Sequence, residues 1–275
     1  MVKNLILTPT KLNNFLRCKR KFLYHNLLLL PGRKKQSLVF GNCAHKALEE
    51  TYRTYKKENK FPNFSFFKKI FERELKFQGA NKTIQNACLA KLGTLKKWFE
   101  KAKLNPTSPI ELEKKKIITL KGGIIFSGKY DKVEFEDEKK GLIRIIDYKT
   151  GKPDTHIRGL ENTADLISEE CDDYMRQLIA YKMLYEKDTY EPAKYRVSHG
   201  VLVFLEPVKN TSQKYNLTKG EYVNKRLAIT GEMVNEFEDV VFRVWKQINS
   251  LEFDKLPEKD PKKCRDCAFN TICWE

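Results

Sequence analysis

Apolar positions along the chain change period part-way. Thr8-Pro9 reads as an N-cap followed by proline at the first helical position. Leu12, Phe15, Leu16, Phe22 and Leu23 then recur at roughly helical spacing until Pro31-Gly32 closes the segment. A second helix is predicted over Leu38–Lys57, and residues 64–103 read as two more, parted near Gly79-Ala80-Asn81. From Glu111 the pattern becomes that of strands. Glu111–Leu120 is a predicted strand, Lys121-Gly122-Gly123 a hairpin turn and Ile124–Glu136 the return strand. A polar turn over Asp137–Gly141 leads to an Ile-rich third strand, Leu142–Lys149. Residues 152–170 read as a loop, Asp172–Glu186 as a helix, Tyr195–Leu205 as a strand and Glu221–Ile248 as a helix before a Lys- and Cys-rich tail. This order predicts an α/β fold around a small mixed sheet, with helices added in front. One domain is expected, with a helical basic part (1–105), a core (106–206), a strand and helix (207–257) and a tail (258–275) that closes on the first helix.

Charge narrows the class of partner. The 275 residues carry 53 Lys or Arg against 36 Asp or Glu, a formal net charge of +17. Residues 1–60 hold 14 of those cations against three acids, Glu49, Glu50 and Glu58. A field concentrated in one segment steers a polyanion, and nucleic acid is the first candidate. Arg17, Lys19, Arg20, Lys21, Arg33, Lys34 and Lys35 are the expected phosphate contacts. Phe22, Tyr24, Tyr52 and Tyr55 are interleaved with them, where they can stack on unpaired bases. The sequence has no apolar run long enough to span a membrane and no signal peptide at its start, so a reducing cytoplasm is expected.

Candidate chemistry lies at the strand ends. Asp131 follows Gly128-Lys129-Tyr130 on the second predicted strand, and Asp147 and Lys149, two apart, share a face of the third. Two close carboxylates repel unless a cation sits between them, and Mg²⁺ or Mn²⁺ suits oxygen ligands. Such an ion polarises a phosphate and acidifies a water, and a lysine beside it can hold that water or stabilise developing charge. His45 opens the second helix within Gly41-Asn42-Cys43-Ala44-His45, with Glu49 one turn on, and Gln177 and Tyr181 stand i, i+4 on the helix after the site. Neutral imidazole is a reasonable further ligand.

Taken in order, these motifs resemble the RecB-type branch of the PD-(D/E)xK nucleases. Gly41 to His45 matches its Gly-x-x-x-His helix, Gly128 to Asp131 its Gly-x-x-Asp strand, Asp147 to Gly151 its Asp-Tyr-Lys-Thr-Gly strand end, and Gln177 to Tyr181 its Gln-x-x-x-Tyr helix. Lys129-Tyr130-Asp131-Lys132 departs from the Arg-Ile-Asp-Arg often found there. The resemblance implies a restriction-endonuclease-like core. It also implies metal binding by His45, Asp131, Asp147 and the Tyr148 backbone carbonyl, catalysis by Lys149, and Gln177 and Tyr181 in the catalytic group.

Seven cysteines are many for a reducing compartment. Cys264, Cys267 and Cys273 form a C-x2-C-x5-C trio that needs a fourth ligand, and Cys18, within the basic first helix, is the natural candidate. Four thiolates hold Zn²⁺ or a [4Fe–4S] cluster, and spacing alone leaves both open. The resemblance implies iron, because AddB-type and CRISPR-associated RecB-like exonucleases carry one N-terminal cysteine and such a trio. Cys43, Cys88 and Cys171 read as ordinary semi-buried thiols. The expected activity is exonucleolytic cleavage of DNA with single-stranded ends, 5′→3′ by the resemblance, in recombination, repair, phage replication or CRISPR adaptation. The alternatives are a non-catalytic DNA-binding module, from which one of Asp131, Asp147 and Lys149 would usually be missing, and a zinc-stabilised helicase adaptor. The chain has no P-loop, so any helicase is a separate chain.

Overall fold

The computed structural model describes residues 5–32, 35–155, 157, 166, 171–265 and 267–274. Helix α1 (Pro9–Arg17) starts as its sequence requires: Thr8 Oγ accepts the Lys11 N–H at 3.2 Å, and Leu12 and Phe15 are buried. The expected continuous first helix is broken at Cys18, whose backbone is extended (φ −165°, ψ 108°). Its sulfur accepts the Lys21 N–H at 3.4 Å, so this cysteine caps the short helix α2 (Lys19–Phe22). A single π-turn, Leu23–Leu27, follows.

Helix α3 (Gln36–Glu58) outlasts its predicted span by a residue or two at each end. Residues 64–104 form three helices where two were expected: α4 (Phe64–Phe77), α5 (Lys82–Ala90) and α6 (Leu92–Leu104). Asn81 caps α5 by accepting the Ile84 N–H at 2.9 Å. The second break falls at Lys91, two residues before Gly93.

The sheet has the order β1-β2-β3-β4-β5. Strands β1 (Glu111–Leu120), β2 (Ile124–Asp137) and β3 (Leu142–Lys149) form an antiparallel meander at nearly the expected bounds. Strand β4 (Arg196–Phe204) runs parallel to β3, and the intervening helix α7 (Asp173–Glu186) supplies the crossover that parallel neighbours need. Strand β5 (Asn224–Ala228) corrects the sequence reading, which gave this stretch to a helix from Glu221. Asn-Lys-Arg-Leu-Ala has little intrinsic strand preference, but pairing with β4 from Val203↔Asn224 to His199↔Ala228 overrides it. The helix, α8 (Gly231–Asn249), begins only after Thr230 caps the Met233 N–H at 3.2 Å.

The sheet separates two apolar cores. On one face Ile143 and Ile145 of β3 pack with α1, α7 and α8, and on the other Ile146 and Tyr148 pack with α3 to α6. β3 is therefore buried on both faces, which explains its Ile-rich run. Helix α7 lies so close to β4 that a Cβ at Gly200 would sit 2.9 Å from Leu178 Cδ1 and 3.0 Å from Leu178 Cβ. Gly200→Ala should destabilise the fold by about 1–3 kcal/mol, read as a lower urea midpoint at unchanged slope. An unchanged midpoint would contradict this packing. Among the described residues no helix is long and apolar enough to cross a membrane.

Candidate active site

The β2–β3 ladder ends at Lys132↔Ile146, one pair short of Asp131 and Asp147. Where the strands part, the Asp131 carboxylate takes over the pairing: its Oδ2 accepts the Tyr148 N–H at 2.6 Å. Its Oδ1 lies 3.0 Å from His45 Nδ1, presented by α3. Strand β1 adds a group that sequence reasoning missed. Its register passes from Leu112↔Lys132 to Lys114↔Tyr130 and skips Glu113, whose φ of +47° lies in the left-handed region. That backbone is strained for a residue with a Cβ. The donor atoms of His45, Glu113 and Asp131 all lie within 4.8 Å of one another. Counting back equally from the Lys121-Gly122-Gly123 turn sets Glu113 across from Asp131, so the signal lay in the hairpin register. Glu49, the acid expected near His45, turns instead to Lys46 at 2.9 Å and Arg53 at 2.7 Å.

Electrostatics show how crowded the anions are. Burial and the Asp131 charge raise the Glu113 carboxyl. Asp147 is raised chiefly by burial and also by Asp131, while Lys149 opposes the shift. Burial works against a charged His45, but the Asp131 charge and hydrogen bond, with Asp147 and Glu113 behind them, prevail and lift it to about 9. Asp147 Oδ2 is buried and in ion-pair contact with Lys149 Nζ, yet it receives no aligned hydrogen bond. A carboxylate oxygen left in this way, beside a triad of acid and imidazole donors, fits a hard divalent cation.

Lys149 is held from three sides. Asp147 contacts its ammonium, Gln177 Oε1 accepts from it at 2.6 Å, and it lies 4.0 Å above the centroid of the Tyr174 ring. Gln177 is fixed in turn by donating to Tyr181 Oη at 2.5 Å. Burial, then Asp147 and Asp131, raise the Tyr181 hydroxyl well above its ordinary value, so it stays neutral and serves as an acceptor. Gly128 lets α7 approach β2: a Cβ there would lie 2.5 Å from Leu184 Cδ1 and 3.5 Å from Tyr181 Cε1. The spaced motifs thus meet in three dimensions.

This meander-and-crossover sheet with its acid–acid–lysine centre agrees with a comparison of sequences. The sequence profile of the PD-(D/E)XK nuclease superfamily matches residues 6–274. The chain belongs to the PD-(D/E)XK nuclease superfamily. No curated protein matches this nuclease in sequence. Among solved structures it is similar to a candidate exonuclease from Eubacterium rectale, at 12% identity and a TM-score of 0.50, covering 93% of this chain and 86% of that one. It is also similar to SSO0001, at 15% identity and a TM-score of 0.37, covering 95% of both chains. Likeness at such identities concerns the fold.

The nuclease has a second assembly of reactive groups. Cys18, Cys264, Cys267 and Cys273 line one cavity of about 400 Å³. Phe269, within the tail, packs edge-on against Tyr24 at 5.6 Å, so the tail docks on the first helical segment. Cys43 and Cys88 lie apart from this cavity in the core beneath α3, and burial, then Cys88, pushes the Cys43 thiol up to about 12. A protonated thiol of this kind suits packing better than ligation.

The expected DNA contacts divide. Arg17, Arg20, Lys21 and Lys35 line the cysteine cavity, with Arg17 also paired to Asp173. Lys19 turns to Glu252 at 3.4 Å. Arg33 and Lys34 lie outside the described residues. Among the expected stacking aromatics, Phe22 and Tyr52 are core residues, whereas Tyr24 and Tyr55 keep partial exposure.

Proposed function

We propose that this nuclease is a metal-dependent DNA exonuclease that hydrolyses phosphodiester bonds at single-stranded ends. The observation that carries the reading is the placement of Lys149, fixed by Gln177 and Tyr181 beside the Asp131–Asp147 pair. His45, Asp131, Asp147 and the Tyr148 carbonyl would hold Mg²⁺ or Mn²⁺, with Glu113 as a further oxygen donor. The ion, when bound, polarises the scissile phosphate and acidifies an attacking water. The protein's own part is orientation and charge. Lys149 turns an N–H toward the water or the phosphate oxygen that gains charge, and Gln177 keeps that ammonium from swinging away. Tyr174 covers the remaining side of the lysine with a ring face, which shields it from bulk water.

The cysteine cavity supports a structural [4Fe–4S] cluster held by Cys18, Cys264, Cys267 and Cys273. A single Zn²⁺ held by the same four thiolates is the alternative occupant. Arg17, Arg20, Lys21 and Lys35 around that cavity favour a polyanion passing it, and 5′→3′ digestion follows from the resemblance to RecB-like exonucleases. A cytoplasmic role beside separate helicase, recombination or CRISPR proteins fits this reading.

The test is cleavage of 5′- and 3′-labelled single-stranded oligonucleotides with Mg²⁺, Mn²⁺ or a chelator. Metal-dependent release of mononucleotides from one end supports the reading. A protein that binds DNA and cuts none with any divalent ion rejects it. Gln177→Leu should lower kcat by about 10²-fold with KM little changed, because the lysine loses its acceptor but DNA loses no contact. A change confined to KM would instead place Gln177 on the DNA.

A further inference from the structure

The leucines after the π-turn are exposed in a way that packing does not require. Leu28 is 46% exposed, Leu29 77% and Leu38, on the first turn of α3, 60%. Leu29 also has a φ of +53°, in the region that bulky side chains avoid. The turn is nevertheless well held: the Leu28 N–H donates to Leu23 O and the Leu30 N–H to Tyr24 O, each at 2.9 Å. The backbone therefore fixes an apolar tip in solvent at a strained position. Such combinations persist where the surrounding structure enforces them for a function.

In the sequence Leu30 is followed, after Pro31 and Gly32, by Arg33, Lys34 and Lys35. Lys35 and Arg17 both act on the charge of Lys21, and the three line the cysteine cavity together. Arg17 pairs with Asp173, and the next residue, Tyr174, lies beneath the Lys149 ammonium. The Leu30 N–H bond to Tyr24 O ties the leucine turn to the rim of the cysteine cavity, which Tyr24, Lys21 and Arg17 line, and Arg17 leads through Asp173 and Tyr174 to Lys149. A DNA strand that follows these cations brings its bases past the leucines before its phosphates reach Lys149.

We propose that Leu28 and Leu29 form an apolar wedge that parts the terminal base pair of a duplex, so that one strand enters the site along Lys21 and Arg17. This rests on the reading of the protein as a nuclease of single-stranded ends and extends its substrate to duplex ends and junctions. Apolar side chains inserted beside a base step replace part of the stacking they disrupt, and flanking cations hold the phosphates on either side. The cations that follow the tip in sequence and line the adjacent cysteine cavity favour a polyanion over an apolar protein surface.

The test uses a DNA hairpin with 2-aminopurine in its terminal base pair and the Lys149→Ala chain, so that cleavage does not intervene. Binding should raise 2-aminopurine fluorescence at least about twofold as the base unstacks. Adding Leu28→Ser and Leu29→Ser should remove most of that rise, with single-stranded DNA affinity kept within about twofold. With Lys149 intact, the two leucine substitutions should leave single-strand cleavage at the parental rate and slow duplex-end digestion roughly tenfold or more. Equal fluorescence from both chains, or equal slowing on both substrates, overturns the wedge and leaves the nuclease reading intact. Self-association of the parent that the leucine substitutions abolish would assign the tip to a protein interface and also overturn it. A parent that binds no DNA fails the functional reading itself, and the wedge with it.

Discussion

Replacing Lys149 with alanine is expected to slow metal-dependent DNA cleavage by about 10²–10³-fold while DNA affinity changes by no more than about threefold. The ammonium is nine-tenths buried against Asp147 and Gln177, so it has no part in the exposed contacts that would determine affinity. Its removal takes away a preorganised charge at the place where phosphate becomes more negative, which costs roughly 3–4 kcal/mol in a dry site. The carboxylates of Asp131 and Asp147 remain, so Mn²⁺ should still bind, as titration calorimetry can check. Cleavage within a few-fold of the parent would remove Lys149 from the mechanism. Lost cleavage together with lost DNA binding would mean that the side chain grips substrate rather than easing the reaction.

On the proposed [4Fe–4S] reading, replacing Cys18 with serine is expected to bleach the protein, release iron and lower the melting temperature by about 10 °C or more. Cys18 caps α2 through its sulfur, and serine is a better cap, so the substitution removes a ligand without removing the local hydrogen bond. The stability at stake comes from closure of a loop of roughly 250 residues between Cys18 and the tail, worth about 5 kcal/mol on the chain-entropy account. A change of that size moves the midpoint of a domain this long by roughly 10–20 °C. The parent, purified without air, should be brown with broad charge-transfer absorbance. A colourless parent with stoichiometric zinc would reject iron, and an unchanged melting temperature would reject the crosslink.

These expectations draw on residues that were legible to different degrees. The meander was readable to within a residue because Lys121-Gly122-Gly123 and Asp137–Gly141 are strong turn signals and the strands between them are rich in β-branched residues. Asp131, Asp147 and Lys149 were singled out by spacing, Gln177 and Tyr181 by the order of motifs in the resemblance, and helix and strand geometry brings all five together. Glu113 was missed because a glutamate ahead of three lysines looks like a solvated strand edge, and its turn inward depends on a left-handed backbone that sequence does not announce. Tyr174 was missed because its place over Lys149 follows from where Asp172 starts α7, a boundary fixed by a side-chain cap at 2.8 Å. Strand β5 escaped because tertiary pairing with β4 decided it against local preference.

The docking of Phe269 on Tyr24 bears on the order in which the molecule is made. The first helical segment leaves the ribosome on the order of tens of seconds before the tail that covers it, at ordinary rates of synthesis. The strands that carry Asp131, Asp147 and Lys149 emerge in that interval and can pair with one another before the tail exists. The wall beside Arg17 and Lys21 therefore closes after the strands that carry the candidate site. A nascent chain can assemble its candidate centre early, while the wall on which the proposed route to that centre depends waits for the cysteine-bearing tail.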